Sequence, residues 1–340
     1  MKILLMELWG LGDAVMMTGV VSSLRAAGHQ IGVLCKPSST ALLTLSYPEC
    51  NYFVFSWPWT AFRRKYWLWA WPWMKMFRLI TELRNEHFDI VFSVRQDPRD
   101  HLLMMLCGVK RRVGYGVYGS QLFLAGSLRM NRDIHRVECW RNAVMYAFPD
   151  LPVTAPRLGA AASALPDSYA DVCKANSSVV VIHCGAGQKV RRWPVKYWAE
   201  IINRIRRSYK DARIVVIPEA DGYGSDLEGV ADLMLRDLPI GSLVAVLGHA
   251  DAVMANDSGP GHIAAAMGTP VCSIFGPQVP AVFRPYGDIH CVVEGMPCRY
   301  RPCFDSCHFD KPYCLLDLEP AVAWLHIHTW LSKQLGVPES

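Results

Sequence analysis

Four short stretches hold the residues that can do chemistry. Asn256-Asp257-Ser258-Gly259 turns the chain between an apolar run ending at Val253-Met254-Ala255 and an Ala-rich stretch over 260–267. Asp257 or Ser258 is placed to cap a helix there, and Pro260 suits its first turn. The free N–H groups of such a helix start attract an anion, and phosphate is the natural guest. His262 lies one turn in, on the face that would look at that guest. Gly185-Ala186-Gly187, followed by Arg191 and Arg192, is a small-residue turn with two guanidinium groups; backbone N–H groups and charged forks suit a diphosphate. Asp13, just after Trp9-Gly10-Leu11-Gly12, is an acid in a first helical turn. It either complements the helix dipole or serves as a general base. Cys298, Cys303, Cys307 and Cys314 are spaced C-x4-C-x3-C-x6-C. Four thiols in one turn-rich segment suit a structural zinc or iron, the plainer alternative being free, partly buried thiols.

The elements that must position these residues alternate strand and helix. Residues 3–6 read as a first strand, 14–27 as a helix ended by Gly28, and 31–35 as a second strand. No G-x-G-x-x-G follows the first strand, which disfavours a nicotinamide or flavin enzyme. Further strands are expected over 51–56 and 88–94, with helices over 74–85, 101–106 and 135–147. Residues 149–166 are proline-rich and read as a linker. The alternation restarts with strands at 179–183 and 213–217 and helices at 194–208, 224–236 and 242–248. A last helix over 320–335 is expected to lean back across the first half. The reading is α/β, with domains 1–165, 166–318 (carrying the cysteine cluster) and a tail 319–340. Two open α/β domains joined by a linker would hold a ligand in the cleft between them.

Composition narrows the function further. The net charge of +5 is mild and gives no reason to expect nucleic acid. Twelve cysteines are many, but the N-terminal apolar run is short and ends at Glu7, so a reduced, cytoplasmic setting is expected. Residues 57–77, WPWTAFRRKYWLWAWPWMKMF, hold half of the tryptophans. Trp57, Trp59, Trp67, Trp69, Trp71 and Trp73 beside Arg63, Arg64 and Lys65 match the composition of a membrane interface, although the segment is too short of apolar residues to span one. The alternative is an aromatic core or a subunit contact. Alternating tryptophans over 67–73 do not fit one helix face, so a short helix and a break near Pro72 are expected.

Four segments stand in a recognisable order: GDAVMMTG at 12–19, HCGAGQKVRRWP at 183–194, NDSGPGHIAAAMGTP at 256–270 and IFGP at 274–277. With them the chain resembles the heptosyltransferases of lipopolysaccharide core synthesis, glycosyltransferase family 9. The resemblance implies a GT-B fold, two Rossmann-like domains facing each other across a cleft. It also implies an ADP-heptose or related nucleotide-sugar donor, inversion at the anomeric centre, and no metal for transfer. The acceptor would be a glycan or lipid-linked sugar, met at the inner-membrane surface by a peripherally associated cytoplasmic enzyme. Asp13 then matches the base, and Asp257, Ser258, Gly259 and His262 match the nucleotide-sugar loop. Gly185, Ala186, Gly187, Arg191 and Arg192 lie on the donor side, and Glu219 is chosen for a nucleotide contact ahead of Asp221. Arg63, Arg64, Lys65, Trp67 and Trp69 would face acceptor and membrane. Three positions depart from the family pattern: Arg191 for lysine, Pro260-Gly261 for Pro-Met, and Gly19 for proline. Rival readings are a transferase with a protein acceptor, a sugar-nucleotide epimerase of related fold, and a nucleic-acid module built on the cysteine cluster.

Overall fold

The computed structural model describes residues 1–61, 65–131, 133–159, 165–173, 177–303 and 306–336. The chain divides into two compact units, Met1–Arg157 and Leu158–Ser340.

The first unit runs β1 (Lys2–Glu7), α1 (Leu11–Ala26), β2 (Gln30–Cys35), α2 (Pro37–Ser46), β3 (Asn51–Val54), α3 (Trp73–Asn85), β4 (Ile90–Ser93), α4 (Pro98–Leu106), β5 (Arg111–Tyr115), β6 (Gly126–Leu128) and α5 (Arg136–Ala147). Its strands form one six-stranded sheet in the order β3-β2-β1-β4-β5-β6, and every pair is parallel. A parallel sheet is covered on both faces, which is why β1 is a continuous apolar run. Ile3 and Leu5 pack with Met17, Val21 and Trp140 on one face; Leu4 and Met6 pack with Leu79, Leu103 and Trp57 on the other.

The second unit runs α6 (Asp167–Cys173), β7 (Val179–His183), α7 (Val195–Ser208), β8 (Arg213–Ile217), β9 (Leu233–Met234), α8 (Ile240–His249), β10 (Ala252–Asn256), α9 (Gly259–Ala266), β11 (Val271–Phe275), α10 (Pro280–Phe283), β12 (Cys291–Glu294), α11 (Tyr313–Leu316) and α12 (Pro320–Leu335). Its sheet is again six-stranded and parallel, in the order β12-β11-β10-β7-β8-β9. Each unit therefore has one place where neighbouring strands send their connections to opposite faces: between β1 and β4, and between β7 and β10. Crevices open at the carboxyl ends of such strand pairs, and doubly wound folds bind ligands there.

Two expectations, the 224–236 helix and the place of Trp57 and Trp59, are corrected, and two are made more definite, with the boundary between the units falling inside the expected linker. The 224–236 segment is not a helix. Gly224 sits at φ +97°, Ser225–Val230 makes a 3₁₀ turn, and Leu233 and Met234 pair with Val215 and Val216 to close the sheet edge. The start of the proline-rich linker is strapped to its own unit: Thr154 N–H donates to Ser23 Oγ (2.9 Å), Arg157 N–H to Thr18 Oγ1 (3.0 Å), and Tyr47 OH to the Arg157 carbonyl (2.5 Å). A Cβ at Gly19 would stand 2.2 Å from the Thr154 carbonyl oxygen, which explains why glycine closes the 12–19 motif here. The last helix spends its apolar face on the second unit, where Ala323, Ile327, Trp330 and Leu331 join the core. Finally, Trp57 and Trp59 are buried core residues of the first unit, Trp59 donating to Asp100 Oδ1 at 2.7 Å. They are not available to a membrane. Trp67, Trp69 and Trp73 are exposed, and Pro72 stands at the N-cap of α3 as the expected break.

Candidate active site

In the first unit the chemistry-bearing residues gather at the β1/β4 crevice. Gly10 caps α1 and Asp13 is the third residue of its first turn; Asp13 Oδ2 accepts the Gly10 N–H at 3.3 Å. The acid is thus held by the helix start and left half-buried beside the strand ends. Residues without an assigned role in the sequence crowd around it. Glu7, the last residue of β1, is 1% exposed. Its Oε1 accepts the Trp9 N–H at 2.9 Å. Burial, then the Asp13 charge, pushes its carboxyl from 4.5 up to about 8, against the pull of the Trp9 N–H, Arg136 and Arg95. Arg95, just past β4, is buried and bonds Asp100 Oδ2 through Nε (2.5 Å) and Asp97 Oδ2 through Nη2 (3.3 Å). The guanidinium carbons of Arg95 and Arg136 lie 4.9 and 4.2 Å from the Trp9 ring centre. Lys36, just past β2 at the N-cap of α2, has its pKa lowered by burial and then by Arg95, with Glu7 and Asp13 opposing. The crevice therefore gathers Arg95, Arg136 and Lys36 with the carboxyl groups of Glu7 and Asp13, the two arginines lying over the Trp9 indole.

Beside it, Tyr66, Leu68, Trp71, Gln96, Asp97 and Arg99 line a cavity of about 540 Å³. Trp67 and Trp69 stack at 5.7 Å and face outward with Tyr66 and Leu68, while Lys65 lies over the Tyr66 ring. Arg63 and Arg64 lie outside the described residues. No helix among the described residues is long and apolar enough to cross a membrane.

In the second unit the two motifs meet at the β7/β10 crevice, and Asn256 is what joins them. It ends β10 with no exposed surface, accepts the Trp193 N–H at 3.1 Å and donates to the Cys184 carbonyl. One side chain thereby fixes both the 184–187 turn and the Arg191-Arg192-Trp193 corner. Arg191 Nη1 reaches Asp257 Oδ2 at 3.3 Å, the carboxylate being nearly fully buried. Arg192 serves the turn itself: Nε donates to the Ala186 carbonyl (2.8 Å), Nη1 to Asp221 Oδ2 (2.7 Å), and the guanidinium covers Tyr223. Asp221 is spent on that contact. Glu219 instead lies against the turn, so close that a Cβ on Gly185 would stand 2.5 Å from Glu219 Oε2. His183 Nε2 is 3.9 Å from the same oxygen. Its Nδ1 donates to the Ile217 carbonyl at 3.1 Å, and burial lowers its pKa despite Glu219, so the imidazole is neutral and the two do not form an ion pair.

At α9 the capping expectation is corrected. Ser258 is the N-cap by position, but its side chain makes no capping bond, and its Oγ is buried without a hydrogen-bond partner. Asp257 is turned to Arg191, while its N–H is held by Ile274. The helix starts at Gly259 with buried His262 in its first turn, and the N–H groups of a helix start suit the anion reading.

The four C-terminal cysteines come together under the 274–277 loop: Cys303 N–H donates to the Pro277 carbonyl (3.0 Å) and Met296 N–H to Cys314 (2.8 Å). Burial, then Cys307, Cys298 and Cys303, pushes the Cys314 thiol up to about 11. Yet Cys303 and Cys307 turn their sulfurs to the carbonyls of Tyr300 and Lys311. Among the described residues no three His, Cys, Asp or Glu side chains are placed to hold a metal ion.

Comparison with known proteins follows the same lines. Residues 76–313 match the family described as Glycosyltransferase family 9 (heptosyltransferase). "Lipopolysaccharide heptosyltransferase 1" of Pseudomonas aeruginosa is 28% identical over 193 residues, 51% of this chain and 52% of that protein. "Lipopolysaccharide core heptosyltransferase OpsX" of Haemophilus influenzae is 23% identical over 226 residues, 63% of this chain and 64% of that protein. The chain thus spans between about half and just under two thirds of the length of these curated relatives. The structure of E. coli ADP-heptose lps heptosyltransferase II superposes with a TM-score of 0.71 at 18% identity, covering 98% of this chain and 99% of the other, which shows a shared GT-B α/β fold.

Proposed function

Because this chain belongs to glycosyltransferase family 9, the heptosyltransferases, we propose that it transfers a heptose from ADP-heptose to a lipopolysaccharide-core acceptor with inversion at the anomeric carbon. The names of its relatives, heptosyltransferases of lipopolysaccharide that include an ADP-heptose enzyme, support donor and acceptor class. The observation that carries the reading is the division of labour between two identical sheet crevices. One presents a half-buried carboxylate at a helix start. The other presents the start of α9 beside an Arg191–Asp257 pair and a glycine turn.

In this mechanism Asp13 takes the proton as an acceptor hydroxyl bonds to C1 of the heptose. The C1–oxygen bond to the diphosphate breaks, and its electron pair leaves with ADP. Arg191 and the α9 N–H groups meet the charge that grows on that leaving group. Glu219, lying against the Gly185 turn, is placed for the nucleotide. The expected result is release of ADP from ADP-heptose only when a heptose-free core acceptor is present. Release without acceptor, or turnover of UDP-N-acetylglucosamine alone, would move the chain to hydrolysis or epimerase chemistry.

The acceptor side joins this site to a lipid surface in the same proposal. The stacked, outward Trp67 and Trp69 with Lys65 have the make-up of an interfacial anchor, and the aromatic segment lines the cavity beside Asp97 and Arg99. Flotation with anionic vesicles should show salt-sensitive binding that drops about tenfold when Trp67 and Trp69 both become alanine. A truncated, soluble acceptor should still be used by that variant. Wild-type protein that ignores the vesicles would return these tryptophans to a subunit contact.

A further inference from the structure

Glu7 is the buried titratable group for which the transfer mechanism has no use. It ends β1 in register with Cys35, 1% exposed, at the point where the chain leaves the sheet for the Asp13 helix. One carboxyl oxygen is satisfied by the Trp9 N–H; the other, Oε2, is buried with no hydrogen-bond partner. The cations around it favour its ionised form by charge, and each also bonds another group. Arg95 gives Nε to Asp100 and Nη2 to Asp97, Arg136 donates to the Val94 carbonyl and covers Trp9, and Lys36 reaches the Thr60 carbonyl. An ionised carboxylate with one oxygen buried and unmet is disfavoured against the neutral acid, and a second carboxylate nearby disfavours it further.

We infer that Glu7 is a positioning residue for the proposed base: it holds the one proton of the Glu7–Asp13 pair, so that the crevice carries a single carboxylate charge and that charge sits on Asp13. The inference rests on the reading of Asp13 as base. The groups that face Glu7 are Asp13 from α1, the Trp9 N–H, Arg136 from α5, Arg95 beyond β4, and Cys35 and Lys36 at the end of β2. Burial and Asp13 outweigh the cations among them, so Glu7 loses its proton only near pH 8. When it does, Asp13 stands beside a second charge and becomes the stronger base. The Glu7 proton is not transferred in the reaction; its presence sets how basic Asp13 is.

The test is an infrared pH titration of the wild-type enzyme and of Glu7→Gln, which keeps an acceptor for the Trp9 N–H and is permanently neutral. Wild type should show a protonated-carboxyl band at neutral pH that fades as pH rises through about 8, and Glu7→Gln should lack it. Over the same window wild-type kcat/KM should rise by about two- to tenfold, while Glu7→Gln stays flat at the neutral-pH level. Melting temperature gives a third readout independent of turnover. Between 4.5 and about 8 the folded chain holds a proton that the unfolded chain has lost, so wild-type stability falls as pH rises through that window. Glu7→Gln has no such titration, and its melting-temperature advantage should grow from pH 4.5 to 8. Absence of the band at neutral pH, or an unchanged kinetic inflection in Glu7→Gln, overturns the inference. Should Asp13→Asn remain active while the band is present, the base reading falls, and the positioning role with it, on a measurement separate from the Glu7 proton.

Discussion

Asp13→Asn will lose about two to four orders of magnitude in kcat while binding ADP as tightly as wild type. The substitution is chosen because it spares the fold. Asp13 Oδ2 accepts the Gly10 N–H that opens α1, and an asparagine oxygen accepts the same bond. The loss of charge in a first helical turn costs only about 0.3–1 kcal/mol, so melting temperature should fall little. The side chain can no longer take a proton from an acceptor hydroxyl. The residues assigned to the donor all lie in the second unit, from Gly185 to His262, so ADP affinity measured by calorimetry should not move. A variant that transfers at the wild-type rate would show that Asp13 is an ordinary acid of a helix start. A variant that loses ADP binding in step with rate would show that the carboxylate acts on the donor.

Arg191→Ala will weaken ADP binding by about ten- to a hundredfold and lower turnover with it. The guanidinium meets a charge that is present in the bound donor and grows on the leaving group, so both parameters should change. A structural effect accompanies it. Asp257 has a nearly fully buried carboxylate, and Arg191 is its ion-pair partner at 3.3 Å. Removing one member of such a pair leaves the other charge without its partner, which lowers stability. Arg191→Lys separates the two: it keeps a charge for Asp257 but loses the fork, so the melting temperature should recover more fully than ADP affinity. Arg192→Ala should act differently, loosening the 184–187 turn through its lost bonds to Ala186 and Asp221. Unchanged ADP affinity in Arg191→Ala would mean that this arginine only holds the loop.

What the sequence determined by itself was local. Continuous apolar runs such as Ile3-Leu4-Leu5-Met6 and Val179–His183 announce strands buried on both faces, and glycines and prolines mark their ends. The βα alternation, the four motifs and their family were legible because each depends on residues close together in the chain. So was the break at Pro72, because proline cannot continue a helix that already runs before it.

Tertiary structure decided everything that rests on pairing distant strands. The order β3-β2-β1-β4 brings Arg95 over Trp9 across more than eighty residues of chain, and β10 beside β7 lets Asn256 hold the Cys184 turn. No short-range pattern singles out an asparagine as the joint between two motifs. The six tryptophans of 57–73 read alike as composition, yet Trp57 and Trp59 entered the core while Trp67 and Trp69 stayed outside, because burial depends on what the rest of the fold sets against them. The same holds for charge. Arg191 and Arg192 are neighbours in sequence, but one faces Asp257 at the helix start and the other is consumed by Asp221 and the Ala186 carbonyl. Glu7 looked like the polar end of a strand; only its enclosure beside Asp13 makes it a carboxyl that keeps its proton, since desolvation and a neighbouring charge exist only once the chain has folded around it.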